Sequence, residues 1–184
     1  MPEVLLLGDP RLRVRSSEVV SCDARELGEL AATLEEFRRR HGFGRAISAP
    51  QIGIARRFIA LNLGKGTFFV VNPVITWRSD ETFTMWDDCM SFPDLLVRVA
   101  RARSLSLEYV DEQGKRKEWR ELDQAAAELL QHEIDHLDGI LAVDYAMTER
   151  AIDGESLVMR REYERNREYF DAKVDYAIVP TINV

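Results

Sequence analysis

The spacing of apolar residues predicts two amphipathic helices in this chain. One apolar set recurs at helical intervals and comprises Leu27, Leu30, Leu34 and Phe37. It predicts a helix over residues 24–41 that ends at Gly42. A second set comprises Ala127, Leu130, Ile134 and Leu137. It predicts a helix over residues 124–138, with Asp123 as its N-cap and Gly139 as its stop.

Between these helices the pattern changes to that of β-strands. Apolar and polar residues alternate along 103–110, which is typical of a strand with one buried face. Gly64-Lys65-Gly66 separates two β-rich runs in the manner of a hairpin turn, whereas Asn72-Pro73 is expected to break the second run. The predicted strands are 57–63, 67–71, 74–77, 103–110 and 115–122.

The C-terminal part of the chain has a third helical pattern. Met159, Tyr163 and Phe170 fall on one face and charged residues cover the rest, which predicts a helix over residues 155–172. The order of elements predicts an α+β fold, in which mostly antiparallel strands surround the second helix, with an N-terminal helix and a C-terminal helix. We expect a single domain over residues 1–184, in which about 148–184 form the C-terminal helix and tail.

The charge and hydropathy of the chain exclude some classes of partner. The net charge of −7 argues against nucleic acid as the main partner, because phosphate binding requires a basic surface. No apolar run approaches the ~20 residues that a membrane helix needs, and the N-terminal segment lacks a signal-peptide pattern. The sequence therefore predicts a cytoplasmic protein with no membrane partner.

His132, Glu133 and His136 form a His-Glu-x-x-His motif within the second helix. The two histidines lie on one helical face and can bind one metal ion, while Glu133 handles a proton of the reacting water. A catalytic site of this kind needs a third protein ligand. The candidates are the upstream Cys89 and the downstream acids Asp144, Glu149 and Glu155.

Three segments resemble the signatures of the peptide deformylase family and occur in the family's order. Residues 131–139 read Gln-His-Glu-Ile-Asp-His-Leu-Asp-Gly, which matches the third signature at every fixed position. Residues 87–91 read Asp-Asp-Cys-Met-Ser and resemble the second signature, Glu-Gly-Cys-Leu-Ser. Residues 44–51 read Gly-Arg-Ala-Ile-Ser-Ala-Pro-Gln and resemble the first, Gly-x-Gly-x-Ala-Ala-x-Gln. The resemblance extends over about residues 5–147.

The resemblance implies a metal-dependent hydrolase that removes the N-formyl group from the N-terminal methionine of newly made peptides and releases formate. Its metal ligands would be Cys89, His132 and His136. The resemblance implies ferrous iron as the ion, with zinc or nickel as substitutes. A thiolate and two imidazoles suit several of these ions. The N-formylated peptide is the expected partner. Ribosome association is compatible with this activity, although no feature of the sequence indicates it.

The resemblance also assigns roles around the metal. Glu133 would be the general acid and base, while the Gln51 side chain and the Met90 backbone N–H would stabilise the oxyanion. The loop over residues 44–51 would pair with an extended substrate. Apart from the resemblance, the position of Asp135 on the helix makes it either a hydrogen-bond partner for a ligand histidine or a solvated residue. The implied substrate-binding residues are Gly44, Ala46 and Arg101.

Departures from the signatures concern the substrate rather than the metal. Ala46 and Asp88 stand at glycine positions, where a side chain is expected to crowd the substrate and to strain the backbone, respectively. Arg45 stands at a usually apolar position and is expected to place a charge at the pocket rim. These departures favour, as the alternative, a deformylase-like amidase acting on a different N-acyl substrate. A zincin-type metallopeptidase and a non-catalytic binding module are the remaining hypotheses.

Overall fold

The fold is described from a computed structural model, which covers residues 2–146 and 155–178. The helices in these residues are α1 (Ala24–His41), α2 (Gln124–Leu137), α3 (Ala142–Ala146), α4 (Arg160–Arg165) and α5 (Arg167–Asp171). The strands are β1 (Ala46–Ser48), β2 (Phe58–Asn62), β3 (Thr67–Arg78), β4 (Thr82–Asp88), β5 (Leu95–Ala102), β6 (Leu105–Val110), β7 (Arg116–Trp119) and β8 (Leu157–Met159).

The described strands form two antiparallel sheets that both contact α2. The larger sheet has the order β1-β2-β3-β6-β7, and the smaller has the order β4-β5-β8. The helix α2 packs against β1 of the larger sheet and β5 of the smaller one. Its apolar face lies in a core shared with the larger sheet. The predicted α+β class, with mostly antiparallel strands around a central helix, is confirmed.

The two long helices begin and end close to the predicted residues. Asp123 Oδ1 accepts a hydrogen bond from the backbone N–H of Ala126 at 2.9 Å, which caps the start of α2. After α2, Gly139 takes a left-handed conformation with φ of 74°. A Cβ atom at this position would lie 2.6 Å from the carbonyl oxygen of Arg13, so the close approach of the two backbones requires glycine.

The predicted break at Asn72-Pro73 is wrong, because β3 continues through it. The pairing of β3 with β6 shifts register between Val71 and Val74, which marks a β-bulge. Pro73 has no N–H to donate, and the bulge accommodates it without ending the strand. Asn72 takes a φ of 48°, and its side chain exchanges hydrogen bonds with the backbone of Val19.

The single helix predicted over residues 155–172 is also wrong. The segment begins with the strand β8, which pairs with β5 through Leu95 and Met159, among others. It continues as α4 and α5, which are separated at Asn166, where φ is −125° and ψ is 36°. The helical spacing of the apolar residues was outweighed by strand pairing at the open edge of β5.

Two stretches of the C-terminal region, 147–154 and 179–184, lie outside the described residues. Within the tail, Tyr176 forms an isolated parallel bridge with Met85 of β4. Across residues 2–146 and 155–178, every helix is too short or too polar to cross a membrane.

Candidate metal centre

The helix α2 presents His132 and His136 one helical turn apart, beside its apolar face. Cys89 comes from the loop between β4 and β5, and its Sγ lies 3.2 Å from His136 Nε2. His136 Nε2 in turn lies 3.2 Å from His132 Nε2. The three candidate ligand atoms therefore face a common point, and all lie within 4.8 Å of one another.

This donor set fits a divalent transition-metal ion. Cys89, His132 and His136 are all buried. A thiolate and two imidazoles are ligands that iron, zinc and nickel accept. An ion accounts for the convergence of one sulfur and two nitrogens on one point.

The downstream acids considered as third ligands lie elsewhere or outside the described residues. The carboxylate of Asp144 pairs with Arg13 at 2.5 Å and accepts a hydrogen bond from the Leu141 backbone. Glu155 pairs with Lys173. Glu149 lies outside the described residues. Cys89 is the candidate that the fold places beside the two histidines.

A buried network of charges lies behind His132. Asp87, two residues before Cys89, has its Oδ1 atom 2.9 Å from His132 Nδ1. Its Oδ2 atom accepts a hydrogen bond from Arg101 at 2.8 Å, and Arg101 also donates to Asp135 at 2.5 Å. Burial alone would raise the pKa of Asp87, but the charges of His132 and Arg101 hold it well below its usual range. The histidine therefore faces a permanently ionised carboxylate.

In this network, Asp135 and Asp87 have neighbours that the sequence did not predict. Asp135 was a candidate partner for a ligand histidine, but its carboxylate accepts hydrogen bonds from Arg101 and from the Tyr145 hydroxyl at 3.0 Å. Asp87 has the histidine contact instead. Side chains of a strand alternate between its faces, so the position of Asp87 two residues before Cys89 was an available signal for that contact.

We expect Asp87→Asn to lower the affinity for a divalent ion by about 10–100-fold, as is usual when the hydrogen-bond partner of a ligand histidine is changed. The amide lacks the charge that orients and polarises the His132 ring. The measurement is competition with a chelator of known affinity. Asp80→Asn, on an exposed turn, removes the same charge and serves as the control. Equal affinities in the two variants would contradict the prediction.

Glu133 lies in the same buried region and contacts β1. Its Oε2 atom accepts a hydrogen bond from the Ser48 hydroxyl at 2.5 Å, and its backbone carbonyl lies 2.9 Å from the same hydroxyl. Burial raises the pKa of Glu133. A carboxyl group with a raised pKa can both accept and return a proton near neutral pH. The sequence did not single out Ser48, since its contact depends on how β1 packs against α2.

Gln51 is buried beside Cys89. Its Nε2 atom lies 3.4 Å from Cys89 Sγ and 3.2 Å from the Ser91 hydroxyl. Its Oε1 atom accepts a hydrogen bond from the Ser48 backbone at 2.9 Å. The amide is thereby oriented with its donor nitrogen toward the ligands. Met90 follows Cys89 directly, so its backbone N–H belongs to the same loop.

Comparison with known proteins identifies the family. The family model described as polypeptide deformylase matches residues 1–151. The chain belongs to the polypeptide deformylase family. It is therefore a hydrolase that acts on N-formylated peptides, and the Cys89, His132 and His136 cluster implies a bound metal.

Proteins named peptide deformylase match most of this chain. A peptide deformylase of Bartonella tribocorum is 38% identical over 152 residues, which are 79% of this chain and 84% of that protein. The crystal structure of the Thermotoga maritima peptide deformylase matches with a TM-score of 0.70 at 34% identity, covering 78% of this chain and 96% of that one. A structure from Acinetobacter baumannii with Met-Ala-Ser bound matches with a TM-score of 0.66 at 29% identity, over 78% and 97% of the chains.

The charge at Arg45 is paired inside the fold of this family member. Arg45 donates to the Ala125 carbonyl at 3.0 Å and forms an ion pair with Glu128, one helical turn before His132. Glu128 is 2% exposed, and burial raises its pKa to about 7 even though Arg45 opposes the shift. The charge expected at the pocket rim is therefore partly buried and is paired with Glu128 between β1 and α2.

The two positions at which this chain replaces a signature glycine are not strained here. Among the described residues, the non-glycine residues with positive φ are Asn72 and Glu121, so neither Ala46 nor Asp88 is one of them. The Ala46 side chain packs in the core between the larger sheet and α2. Asp88 is the last residue of β4, pairs with Leu96, and its carboxylate lies 2.9 Å from Arg160 Nη2. The strain expected at Asp88 is absent.

Proposed function

We propose that this deformylase-family hydrolase removes the formyl group from the N-terminal methionine of nascent peptides and releases formate. The observation that carries the proposal is the convergence of Cys89, His132, His136, Glu133 and Gln51 in one buried region. Because nascent chains are made in the cytoplasm, we place the enzyme there, close to the ribosome. The proposal treats residues 1–184 as one catalytic domain.

The proposed metal ligands are Cys89, His132 and His136, with ferrous iron as the resident ion and zinc or nickel as substitutes. An ion held there would activate water for attack on a carbonyl carbon at neutral pH. Asp87 orients the His132 ring through its 2.9 Å contact. Three protein ligands are the number that a catalytic site of this kind uses, with one position kept for water or substrate.

Glu133 is the proposed proton carrier. Its buried carboxylate accepts a proton from the attacking water and delivers it to the nitrogen of the leaving amine. The Ser48 hydroxyl, 2.5 Å from Oε2, holds one carboxylate oxygen in place. The other oxygen, Oε1, is the one proposed to carry the proton.

Gln51 and Met90 are the proposed donors to the oxyanion. The Gln51 carbonyl oxygen is already engaged by the Ser48 backbone, so its Nε2 hydrogens are directed at the cluster. The backbone N–H of Met90 follows the ligand Cys89. Donors fixed before the reaction stabilise developing negative charge more than mobile water does.

We expect Gln51→Leu to lower kcat by about 10²–10³-fold, the usual cost of removing one oxyanion donor. Leucine is similar in size, so the packing against Ser91 is largely kept. The measurement is formate release by protein whose metal content equals that of the wild type. Gln113→Leu, at an exposed turn, is the control. A variant with unchanged kcat would remove Gln51 from the mechanism.

The proposed substrate-binding surface is the outer edge of β1, next to Gly44. Among the described strands, β1 is the end strand of the larger sheet. The Arg45 carbonyl accepts a hydrogen bond from Asn62 of β2 at 2.8 Å, so the backbone groups of the next residue, Ala46, point to the open edge. An extended peptide can add to that edge as a further strand.

Arg101 stays a proposed substrate-site residue, but it would act from behind the ligands. It is 4% exposed, and its contacts are Asp87, Asp135 and the ring of Tyr145. Its effect on the substrate would pass through Asp87 and the orientation of His132. Arg101 is therefore proposed as a residue that shapes the site without touching the peptide.

The test is formate release from a short formyl-Met peptide by protein purified without oxygen, with its metal content measured. Rapid formate production by protein containing a stoichiometric divalent ion is the expected result. Metal-loaded protein that cleaves an N-acetyl peptide but releases no formate would instead favour the alternative, an amidase for another N-acyl group.

A further inference from the structure

Arg160, the first residue of α4, joins the two ends of the loop that carries Cys89. Its Nη2 atom lies 2.9 Å from the carboxylate of Asp88, at the start of this loop. Its Nε atom donates to the Pro93 carbonyl at 2.5 Å, at the far end of the loop. Its backbone N–H donates to the Asp94 carbonyl at 2.8 Å. We call residues 89–94 the ligand loop.

The ligand loop contains the groups that must be held still for the proposed reaction. Cys89 is the proposed thiolate ligand, and Met90 supplies a proposed oxyanion donor. Ser91 contacts Gln51, and its own backbone N–H lies 3.4 Å from Cys89 Sγ. A small change in the separation of the loop ends would therefore displace a ligand and a donor together, and errors of about 1 Å are costly in such sites.

The bridge joins a residue beyond the family-model match to a residue that departs from the second signature. Arg160 lies beyond residues 1–151, the part that the family model matches. Asp88 stands where the family's second signature has glycine. The pairing of β8 with β5 places Arg160 beside the loop end, since Met159 is opposite Leu95. The two residues meet in one ion pair.

The segment that carries Arg160 is docked along β4 by further contacts. The indole nitrogen of Trp86 donates to the Phe170 carbonyl at 2.8 Å. The Asp175 carboxylate accepts hydrogen bonds from the backbone and the hydroxyl of Thr84 at 2.9 and 2.8 Å. The guanidinium of Arg160 is thus presented from a fixed support, and its geometry is not that of an isolated surface ion pair.

We propose that Arg160 is a positioning residue, which fixes the Cys89 thiolate and the Met90 N–H by bridging Asp88 to Pro93. The C-terminal segment thereby stabilises the geometry of the metal site. The proposal rests on the proposed function of Cys89 as a ligand. It requires one guanidinium to contact both loop ends through two nitrogens held apart in a rigid plane, a geometry that the compact ammonium of lysine does not reproduce.

The experiment compares Arg160→Gln, Arg160→Lys and the exposed neighbour control Arg161→Gln, each loaded with Co²⁺. The readouts are the thiolate-to-cobalt absorption band, the rate of Co²⁺ loss to a chelator, and the separate values of kcat and KM. We expect Arg160→Gln and Arg160→Lys to perturb the band and to release Co²⁺ about tenfold faster, by analogy with other residues that orient ligands. We expect kcat to fall more than KM changes, and Arg161→Gln to resemble the wild type.

A wild-type band and rate of Co²⁺ loss in Arg160→Gln would overturn the proposal, whatever the melting temperature. Full rescue by lysine would also overturn it, because the two-nitrogen bridge of the guanidinium would then not be needed. If Arg160→Gln does not fold, Asp88→Ala removes the acceptor at the other end of the bridge, at a half-buried position, and is judged by the same two readouts. A wild-type chain with an intact cobalt–thiolate band and no formate release would overturn the proposed function instead, so the two failures are distinguishable.

Discussion

Glu133→Gln is expected to lower kcat for formate release by about 10²–10⁴-fold while leaving the metal content unchanged. Glutamine keeps the shape of the side chain and can still accept the hydrogen bond from Ser48, which lies 2.5 Å from Oε2 in the native protein. It cannot take a proton from the attacking water. Cys89, His132 and His136 are untouched, so the ion should remain bound.

The measurement pairs single-turnover formate release with metal analysis on the same sample. Glu108→Gln makes the same chemical change at an exposed position of β6 and should retain full activity. A Glu133→Gln protein that turns over at the native rate would eliminate Glu133 as the proton carrier. Loss of the ion from that variant would show that the residue supports the metal rather than the proton transfer.

The local parts of the fold and the site were predictable from the sequence alone. Helical spacing placed His132 and His136 on one face of α2, because the period of a helix is fixed by its own hydrogen bonds. The caps at Asp123 and Gly139 follow from the chemistry of those residues. The third ligand was different, since Cys89 is 43 positions from His132 by residue number and the pattern alone left several candidates open. The resemblance selected Cys89.

Contacts between elements that are far apart in the sequence were harder to predict. Ser48 reaches Glu133 only because β1 packs against α2, and Arg45 meets Glu128 for the same reason. The C-terminal helix was predicted from amphipathic spacing, but residues with that spacing can also pair with an open strand edge. The residues from Leu157 to Met159 pair with the edge of β5 and form β8. Tertiary pairing outweighed local propensity there, and it also brought Arg160 to the ligand loop.

Cys89→Ala is expected to abolish stable metal binding and, with it, formate release. Asp87→Asn removes only an interaction behind His132, whereas Cys89→Ala removes a proposed ligand, so its loss of affinity should exceed the about 10–100-fold expected for Asp87→Asn. The remaining two imidazoles would hold an ion weakly. The measurements are metal content after gel filtration and competition with a chelator.

The chain offers a matched control, because its other cysteine, Cys22, is not part of the Cys89, His132 and His136 cluster. Cys22→Ala removes the same thiol group and should keep both the ion and the activity. The comparison also separates the deformylase site from a two-histidine, one-acid site of the zincin kind. In a zincin site an acid would be the third ligand, and Cys89→Ala would be nearly silent. Asp144 and Glu155 are paired with Arg13 and Lys173, so retention of metal by Cys89→Ala would point to an acid outside the described residues, such as Glu149.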